Sequence, residues 1–216
     1  PTLSKASDWR TYGRLLRRDF PLGRAYFLSL PHRPTTPYPM KLLLIRHTSV
    51  DVRPGVCYGA SDVPLRDSFC KEAALVKTRL SGYQIDQAFT SPLSRCKRLA
   101  EYCGFPHAIA DSRLVERNFG AWEGLEYTRI NDPQLQLWYD DFVHTKATEG
   151  ESFMDVVGRA KAFLDELKET TPPLHTLALF THGGVITALR FLVEHCSLEH
   201  LLDLQVPYGT VYPLEL

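Results

Sequence analysis

The sequence predicts a three-layer α/β/α sandwich with a mainly parallel central sheet. Two runs, 41–45 (KLLLI) and 175–181 (HTLALFT), are largely apolar, which is typical of strands buried on both faces. Helical patterns separate the predicted strands, and this alternation indicates β-α-β units. The 216 residues suit one domain with a sizeable core.

Three further strands complete the predicted sheet. Residues 85–90 (IDQAFT) are a weaker candidate, and residues 107–110 (HAIA) suit a short edge strand. The tail 209–216 (GTVYPLEL) could supply a last strand. Pro213 favours an edge position there, because proline donates no hydrogen bond to a neighbouring strand.

Four helices are predicted between these strands, over 68–80, 92–103, 153–169 and 184–195. In the second helix, Ser91 is the expected N-cap and Pro92 the first helical residue. The third helix has apolar residues at helical spacing, and Ser152 with Asp155 has the pattern of a capping box.

The composition is that of a globular protein. Lys and Arg number 25, as do Asp and Glu, so nothing points to nucleic acid as the main partner. No apolar run approaches the roughly 18 residues of a membrane span. The five cysteines include no C-x-x-C pair, which argues against a zinc or dithiol site and favours the reducing cytoplasm. The P-loop, dinucleotide-binding and HExxH motifs do not occur, and the oligomeric state stays open.

Residues 1–39 differ in character from the rest of the chain. They hold seven basic residues against two acidic ones, and they end in the Pro-rich stretch PHRPTTPYP, which is typical of an extended linker. Met40 stands immediately before the first predicted strand. We expect 1–39 to be an N-terminal extension or a start-site artefact, with a transit-like or surface-binding arm as the alternative, and 40–216 to be the folded domain.

Two predicted strands are each followed by a histidine. The first apolar run leads into Arg46 and His47, and the second leads into His182 and Gly183. Ligands bind beyond the carboxyl ends of neighbouring strands in open α/β sheets, so we expect both imidazoles in one crevice. Gly183 opens the following helix, whose first N–H groups suit an anion. The alternative is that each histidine only ends its strand.

Arg95 lies in the first turn of the predicted helix 92–103, where a cation opposes the helix dipole. A bound anion would reverse that penalty, and the planar fork of arginine suits phosphate. We therefore expect Arg95 to bind phosphate, whereas Lys97 and Arg98 are expected on a solvated face.

Glu116 lies in the segment 111–122, which has neither a helix period nor a strand period. A carboxyl group that such a loop delivers to the crevice could donate a proton to a leaving group. The alternative is a surface salt bridge to Arg113 or Arg117. Glu123 is expected to be an ordinary acid in the first turn of the next helix.

Several motifs resemble those of the histidine phosphatase (phosphoglycerate mutase-like) superfamily: LIRHT, SPLSR, ERNFGAWEG, EGESF and FTHGG. The resemblance covers nearly all of the predicted domain and implies a phosphoglycerate mutase-like fold. It implies that His47 is a nucleophile that forms a phosphohistidine and that Glu116 protonates the leaving oxygen. It also implies that no metal or cofactor takes part. The phosphoryl oxygens would be held by Arg46, Arg95 and His182.

The loop after His47 bears most on the substrate. Its run RHTSVDVRPGVCYGASDVPL looks like that of α-ribazole phosphatases, which remove the 5′-phosphate from α-ribazole phosphate in cobalamin assembly. The candidate specificity residues in this loop are Thr48, Arg53, Cys57 and Tyr58. Arg53 stands where many members have Asn, and a solvent-facing side chain is the alternative.

Residues 127–150 could form a helical lid in which Trp138 stacks on a base, although aromatic residues at helical spacing are more often core. The resemblance thus predicts a metal-independent phosphomonoesterase that acts on a small molecule, with α-ribazole 5′-phosphate as the favoured substrate, and the cysteine pattern favours a cytoplasmic location. The alternatives are a broad-specificity sugar or nucleotide phosphatase, a phosphoglycerate mutase and a phosphate-binding scaffold.

Overall fold

The computed structural model describes residues 40–172, 175–195, 197 and 205–216. The segment 1–39, predicted to be an extension, lies outside the described residues, and its assignment stays a prediction. Within the described ranges, no helix combines the length and the hydropathy that crossing a membrane requires.

A five-stranded sheet forms the middle layer. Its strands are β1 (Lys41–Arg46), β2 (Gln87–Thr90), β3 (Ile109–Ala110), β4 (Thr176–Thr181) and β5 (Val211–Glu215), in the order β3-β2-β4-β1-β5. The first four strands are parallel, whereas β5 runs antiparallel to β1 at one edge, with Leu43 opposite Pro213. The mainly parallel sheet and the edge position of Pro213 are therefore confirmed.

Among the described residues, five α-helices accompany the sheet: α1 (Phe69–Leu80), α2 (Ser94–Cys103), α3 (Gln134–Asp140), α4 (Phe153–Thr170) and α5 (Gly183–Glu194). Four of them match the predicted helices, and α3 lies in the predicted lid segment. The capping box of α4 is confirmed, because Ser152 Oγ accepts the N–H of Asp155 while the Asp155 carboxylate accepts the N–H of Ser152.

Helices cover both faces of the sheet. Leu42 and Leu44 of β1 pack with α4 and α5, whereas Leu43 and Ile45 pack with α1 and α2, and all four side chains are completely buried. This alternation follows from the two-residue period of a strand. Burying each such side chain stabilises the fold by about 2 kcal/mol. A strand anchored in this way fixes the point where its carboxyl end emerges.

Local predictions are wrong at two places. Ser91 does not cap α2 and Pro92 is not its first residue, because the helix begins at Ser94. The Asp62 carboxylate accepts the N–H of Ser94 at 3.0 Å from a separate loop. A tertiary contact thus supplies the partner that the helix end needs. Glu123 does not begin a helix either; it follows a short 3-10 turn, and its carboxylate accepts backbone N–H groups.

Candidate active site

The carboxyl ends of β1 and β4 bring two histidines together. The strands are parallel neighbours with Arg46 opposite Thr181, so His47 and His182 emerge side by side. Their ring centroids are 5.1 Å apart, and their planes are inclined at 64°. The expectation that both imidazoles meet at one edge of the sheet is confirmed.

The His47 imidazole is held in a form that suits nucleophilic attack. Its Nδ1 lies 2.7 Å from the carbonyl oxygen of Thr48. A carbonyl only accepts, so the proton is on Nδ1 and the lone pair is on Nε2. Burial lowers the pKa of His47 well below its usual value, and the charges of Arg46 and Arg95 lower that pKa further. The ring is therefore neutral at pH 7.

His182 is fixed at the N-terminus of α5. It is the N-cap residue of that helix, it is completely buried, and its Nε2 lies 2.8 Å from Ser91 Oγ. Burial lowers the pKa of His182 well below its usual value, and repulsion from a proton on His47 and from the charges of Arg95 and Arg46 adds to this shift. The Ser91 hydroxyl thus orients a second neutral imidazole beside the first.

Two arginines place guanidinium groups at the site. Arg95 is completely buried, and its Nη1 and Nη2 donate to the carbonyl oxygens of Ser61 and Gly59 at 2.8 and 2.6 Å. Arg46 donates through Nη1 to the carbonyl oxygen of Val206. In both arginines the Nε atom is buried without a hydrogen-bond partner in the part of the chain that the structure describes. Each side chain therefore retains an N–H that an anion could accept.

The N-terminus of α5 adds to this positive site. Gly183 is the first residue of the helix, and a Cβ there would lie 3.5 Å from the Arg46 guanidinium group. The first turn holds no acidic side chain, and its N–H groups carry partial positive charge. Within the described ranges, no three His, Cys, Asp or Glu side chains are grouped closely enough to hold a metal ion. The arrangement favours an anion such as a phosphoryl group.

Glu116 lies against the same helix end. Its Oε2 accepts the N–H of Gly184 at 3.1 Å, and its Oε1 accepts the N–H of Arg117 at 3.0 Å. The alternative of a surface salt bridge to Arg113 does not hold, because Arg113 pairs with Asp111 at 2.6 Å. The loop carboxyl group therefore lies at the helix end that also carries the second histidine.

Two residues of the site, Tyr208 and Ser91, were not expected from the sequence. The Tyr208 ring lies 5.5 Å from the His47 ring and 4.0 Å from the Arg46 guanidinium carbon, and its hydroxyl is 2.6 Å from that of Tyr58. The predicted last strand could have indicated Tyr208. A strand antiparallel to β1 begins beside the end of β1, so the residues just before β5 lie near Arg46 and His47. For Ser91, the sequence offers no such signal, because a serine before a proline is equally compatible with a helix cap and with a hydrogen bond to a histidine.

One candidate specificity residue, Tyr58, lies at the site, and a second, Thr48, follows His47 in the chain. Tyr58 shares the hydroxyl contact with Tyr208. Thr48 is buried next to His47, and its Oγ1 has no hydrogen-bond partner among the described residues. The Tyr58 hydroxyl can therefore contribute a polar atom close to the nucleophile, whereas a role of the completely buried Thr48 side chain in substrate choice stays a prediction.

The other three candidates are placed differently. Cys57 is completely buried, burial raises the pKa of its thiol to about 12, and it is not available to a substrate. Trp138 is 1% exposed and packs against Trp122 at 5.8 Å between ring centroids. Its assignment to substrate stacking is therefore wrong, and the core alternative holds because the aromatic cluster buries the ring. Arg53 is exposed and pairs with Glu126 at 3.5 Å.

The sequence is similar to known proteins over most of its described length. A model of the histidine phosphatase superfamily (branch 1) matches residues 42–216. Phosphoserine phosphatase 1 of Hydrogenobacter thermophilus is 28% identical over 138 residues, which are 60% of this chain and 65% of that protein, less than two thirds of its length. A 2,3-bisphosphoglycerate-dependent phosphoglycerate mutase of Neisseria meningitidis is 27% identical over 82% of this chain and 95% of its own. The adenosylcobalamin/alpha-ribazole phosphatase of Escherichia coli is 26% identical over 79% of this chain and 87% of its own.

The fold is similar to that of solved structures. An alpha-ribazole phosphatase from Shigella flexneri has a TM-score of 0.72 at 24% identity, over 81% of this chain and 89% of that chain. A mycobacterial glucosyl-3-phosphoglycerate phosphatase has a TM-score of 0.69 at 26% identity, over 80% of this chain and 91% of that chain. The three-layer fold expected from the sequence is confirmed.

Proposed function

The chain is an enzyme of the histidine phosphatase superfamily (branch 1), since that family's model matches residues 42–216, and we propose that it hydrolyses small phosphomonoesters through a phosphohistidine on His47. The observation that carries the proposal is a neutral His47 imidazole, protonated on Nδ1, beside His182 and two arginines with unpartnered Nε atoms among the described residues. A neutral imidazole can attack phosphorus while fixed cations stabilise the charge on the phosphoryl oxygens.

In the first step, the lone pair on Nε2 of His47 forms a bond to phosphorus as the ester P–O bond breaks. Glu116 gives its proton to the leaving oxygen, so the product departs as an alcohol. The His47 Nδ1 proton stays in its bond to the neighbouring backbone carbonyl. The equatorial oxygens are held by Arg46, Arg95, His182 and the N–H of Gly183.

In the second step, water attacks the phosphohistidine. Glu116, now ionised, takes a proton from the water as the new P–O bond forms. The P–N bond breaks, and its electron pair returns to Nε2 of His47. Inorganic phosphate leaves, and both side chains recover their starting protonation. The scheme requires no metal ion, because fixed cationic donors take the place that Mg²⁺ has in kinases.

For the substrate we propose α-ribazole 5′-phosphate. Support comes from Thr48 and the loop that follows it, which look like those of α-ribazole phosphatases, and from the E. coli relative that carries this name. Two relatives are named phosphoserine phosphatase and phosphoglycerate mutase. A broader small-molecule phosphatase is therefore the alternative, with a mutase less favoured.

A phosphate-release assay over a substrate panel tests both levels of the proposal. The panel holds α-ribazole 5′-phosphate, phosphoserine, a sugar phosphate, a nucleoside monophosphate and 3-phosphoglycerate. We expect the highest kcat/KM with α-ribazole 5′-phosphate. Similar values for all esters would favour the broad phosphatase, and conversion of 3-phosphoglycerate to its isomer would identify a mutase. Release of phosphate from none of them would remove the phosphatase proposal.

A further inference from the structure

Glu123 connects two loops of the proposed active site. The first is the arginine loop, residues 59–61, and the second is the glutamate loop, residues 116–124, which carries Glu116. The Glu123 Oε1 accepts the N–H of Ala60 at 2.8 Å and that of Phe119 at 3.0 Å. Its Oε2 accepts the N–H of Ser61 at 2.6 Å. One carboxylate thus joins the backbones of both loops.

The arginine loop in turn holds Arg95. The carbonyl oxygens of Gly59 and Ser61 accept hydrogen bonds from Nη2 and Nη1 of Arg95. Asp62, the next residue, binds the N–H and the hydroxyl of Ser94 at the start of α2. Among the described residues, the acidic oxygen that pairs with Arg95 belongs to Asp62 and is 4.0 Å away. The direction of the guanidinium group is therefore set mainly by two backbone carbonyls.

The loops are also packed directly against each other. A Cβ on Gly59 would collide with the backbone carbonyl of Arg117. Cys57 donates its N–H to the carbonyl of Leu125 and accepts the N–H of Gly124, each at 2.8 Å. These contacts hold the start of the arginine loop, whereas the N–H groups of Ala60 and Ser61 are held by Glu123.

The Glu123 carboxylate is ionised in this position. Partial burial alone would raise the pKa of Glu123, but the hydrogen bonds from Ser61, Phe119 and Ala60 outweigh it, so the pKa is lowered. Hydrogen bonds from N–H groups to an ionised carboxylate are short and strong. The Ala60 N–H shares its peptide plane with the Gly59 carbonyl, so a charged acceptor fixes the plane of one carbonyl that binds Arg95. The second amide belongs to Ser61, the residue whose own carbonyl also binds Arg95.

We propose that Glu123 is a positioning residue for Arg95. By binding the Ala60 amide it aims the Gly59 carbonyl of the same peptide plane, and by binding the Ser61 amide it holds the residue whose carbonyl is the second acceptor, so that the guanidinium group is oriented toward the phosphate. The inference rests on the proposed function, because it takes Arg95 as a phosphate ligand. It also links Arg95 to the loop of Glu116, so the phosphate ligand and the proton donor are aligned by one side chain.

The test compares Glu123→Ala, Glu123→Gln and Arg95→Ala with the double variant Glu123→Ala/Arg95→Ala. Affinity for inorganic phosphate is measured by calorimetry, and kcat and KM are measured with the best substrate of the panel. Glu126→Gln is the matched control, since Glu126 lies in the adjoining segment and pairs with the exposed side chains of Arg53 and Arg129.

We expect Glu123→Ala to weaken phosphate binding about tenfold, which corresponds to about 1.4 kcal/mol. The double variant should lose as much phosphate affinity as Arg95→Ala alone, because Glu123 acts through Arg95. The phosphate affinity of Glu123→Gln should lie between those of Glu123→Ala and the wild type. Its amide keeps one acceptor oxygen but turns an NH₂ group toward one backbone N–H. Glu126→Gln should bind phosphate like the wild type.

Additive losses in the double variant would overturn the inference, as would a folded Glu123→Ala protein with unchanged phosphate affinity. If Glu123→Ala does not fold, the same comparison is made with Glu123→Gln, alone and combined with Arg95→Ala. A wild type that binds phosphate but turns over no ester would remove the proposed function while the calorimetric comparison still decides the role of Glu123. A wild type that does not bind phosphate would overturn the inference itself.

Discussion

Glu116 and Gly184 contact each other at the N-terminus of α5. The Oε2 atom of Glu116 accepts the N–H of Gly184 at 3.1 Å, and a Cβ on Gly184 would collide with the carboxyl group. Because glycine has no side chain, the loop carboxyl group can reach the helix end where we propose that the phosphoryl group binds.

Gly184→Ala should therefore lower kcat/KM by about 100-fold, since a shift on the order of 1 Å in a catalytic group can cost that much. Alanine favours a helix over glycine by roughly 0.5–1 kcal/mol, so a loss of helix stability would not explain the effect. Steady-state kinetics measure the change. The control is Gly158→Ala in α4, where a Cβ would meet no atom within 4 Å. Equal kinetics for Gly184→Ala and the wild type would contradict the contact.

The buried histidines should make stability depend on pH. Folding lowers the pKa of both His47 and His182 below the unfolded value of 6.5. Below that value the unfolded chain binds more protons than the folded chain. The free energy of unfolding is therefore undiminished by the histidines above pH 6.5, and it decreases as the pH falls below 6.5. Each histidine contributes a decrease of up to about 1.4 kcal/mol per pH unit.

Denaturant titrations between pH 8 and pH 5 measure this dependence. His47→Gln removes one of the two titrating groups, so its free energy of unfolding should decrease less steeply with acid than that of the wild type. Parallel curves for the two proteins would show that His47 is not buried in its neutral form.

The Tyr208 ring should hold Arg46 in place for substrate binding. Tyr208→Phe keeps the ring 4.0 Å from the guanidinium carbon but removes the hydroxyl that bonds to Tyr58. We expect it to lower kcat/KM about threefold, the size of one neutral hydrogen bond. Tyr208→Ala also loses the cation–π contact and should cost about tenfold more. Steady-state kinetics on both variants measure the difference. Equal kcat/KM values for Tyr208→Phe and Tyr208→Ala would show that the ring does not hold Arg46 in place.

Trp138 should contribute to stability and not to substrate choice. Its ring is 1% exposed within an aromatic cluster, so Trp138→Ala should lower the free energy of unfolding by about 3–5 kcal/mol. The ratio of kcat/KM values between two substrates of the panel should stay unchanged. A changed ratio in the folded variant would show that Trp138 contributes to substrate specificity.

The parts of the site that lie at strand ends could be predicted from the sequence. Arg46 ends an apolar strand, His47 and His182 each follow one, and the carboxyl ends of neighbouring parallel strands meet at one edge. Arg95 could be predicted because its place in the first turn of a helix is unfavourable without an anion. Each of these inferences depends only on local patterns and on one rule of sheet topology.

The rest depends on contacts between distant segments, for which no local pattern exists. Tyr58 and Tyr208 are 150 residues apart in the chain, and Ser91 and His182 are 91 apart. Asp62, rather than Ser91, provides the partner for the start of α2, because the loop fold brings it there. The inward position of Trp138 likewise follows from an aromatic cluster that forms only in the folded chain.

A phosphohistidine on His47 is tested most directly by rapid quenching of the reaction with a ³²P-labelled phosphomonoester of the panel, followed by analysis of the protein. We expect an acid-labile, base-stable phosphoprotein in the wild type, with the label on His47, and no label in His47→Ala. A turning-over wild type that never carries the label, or equal labelling of His47→Ala, would contradict a phosphohistidine mechanism on this residue.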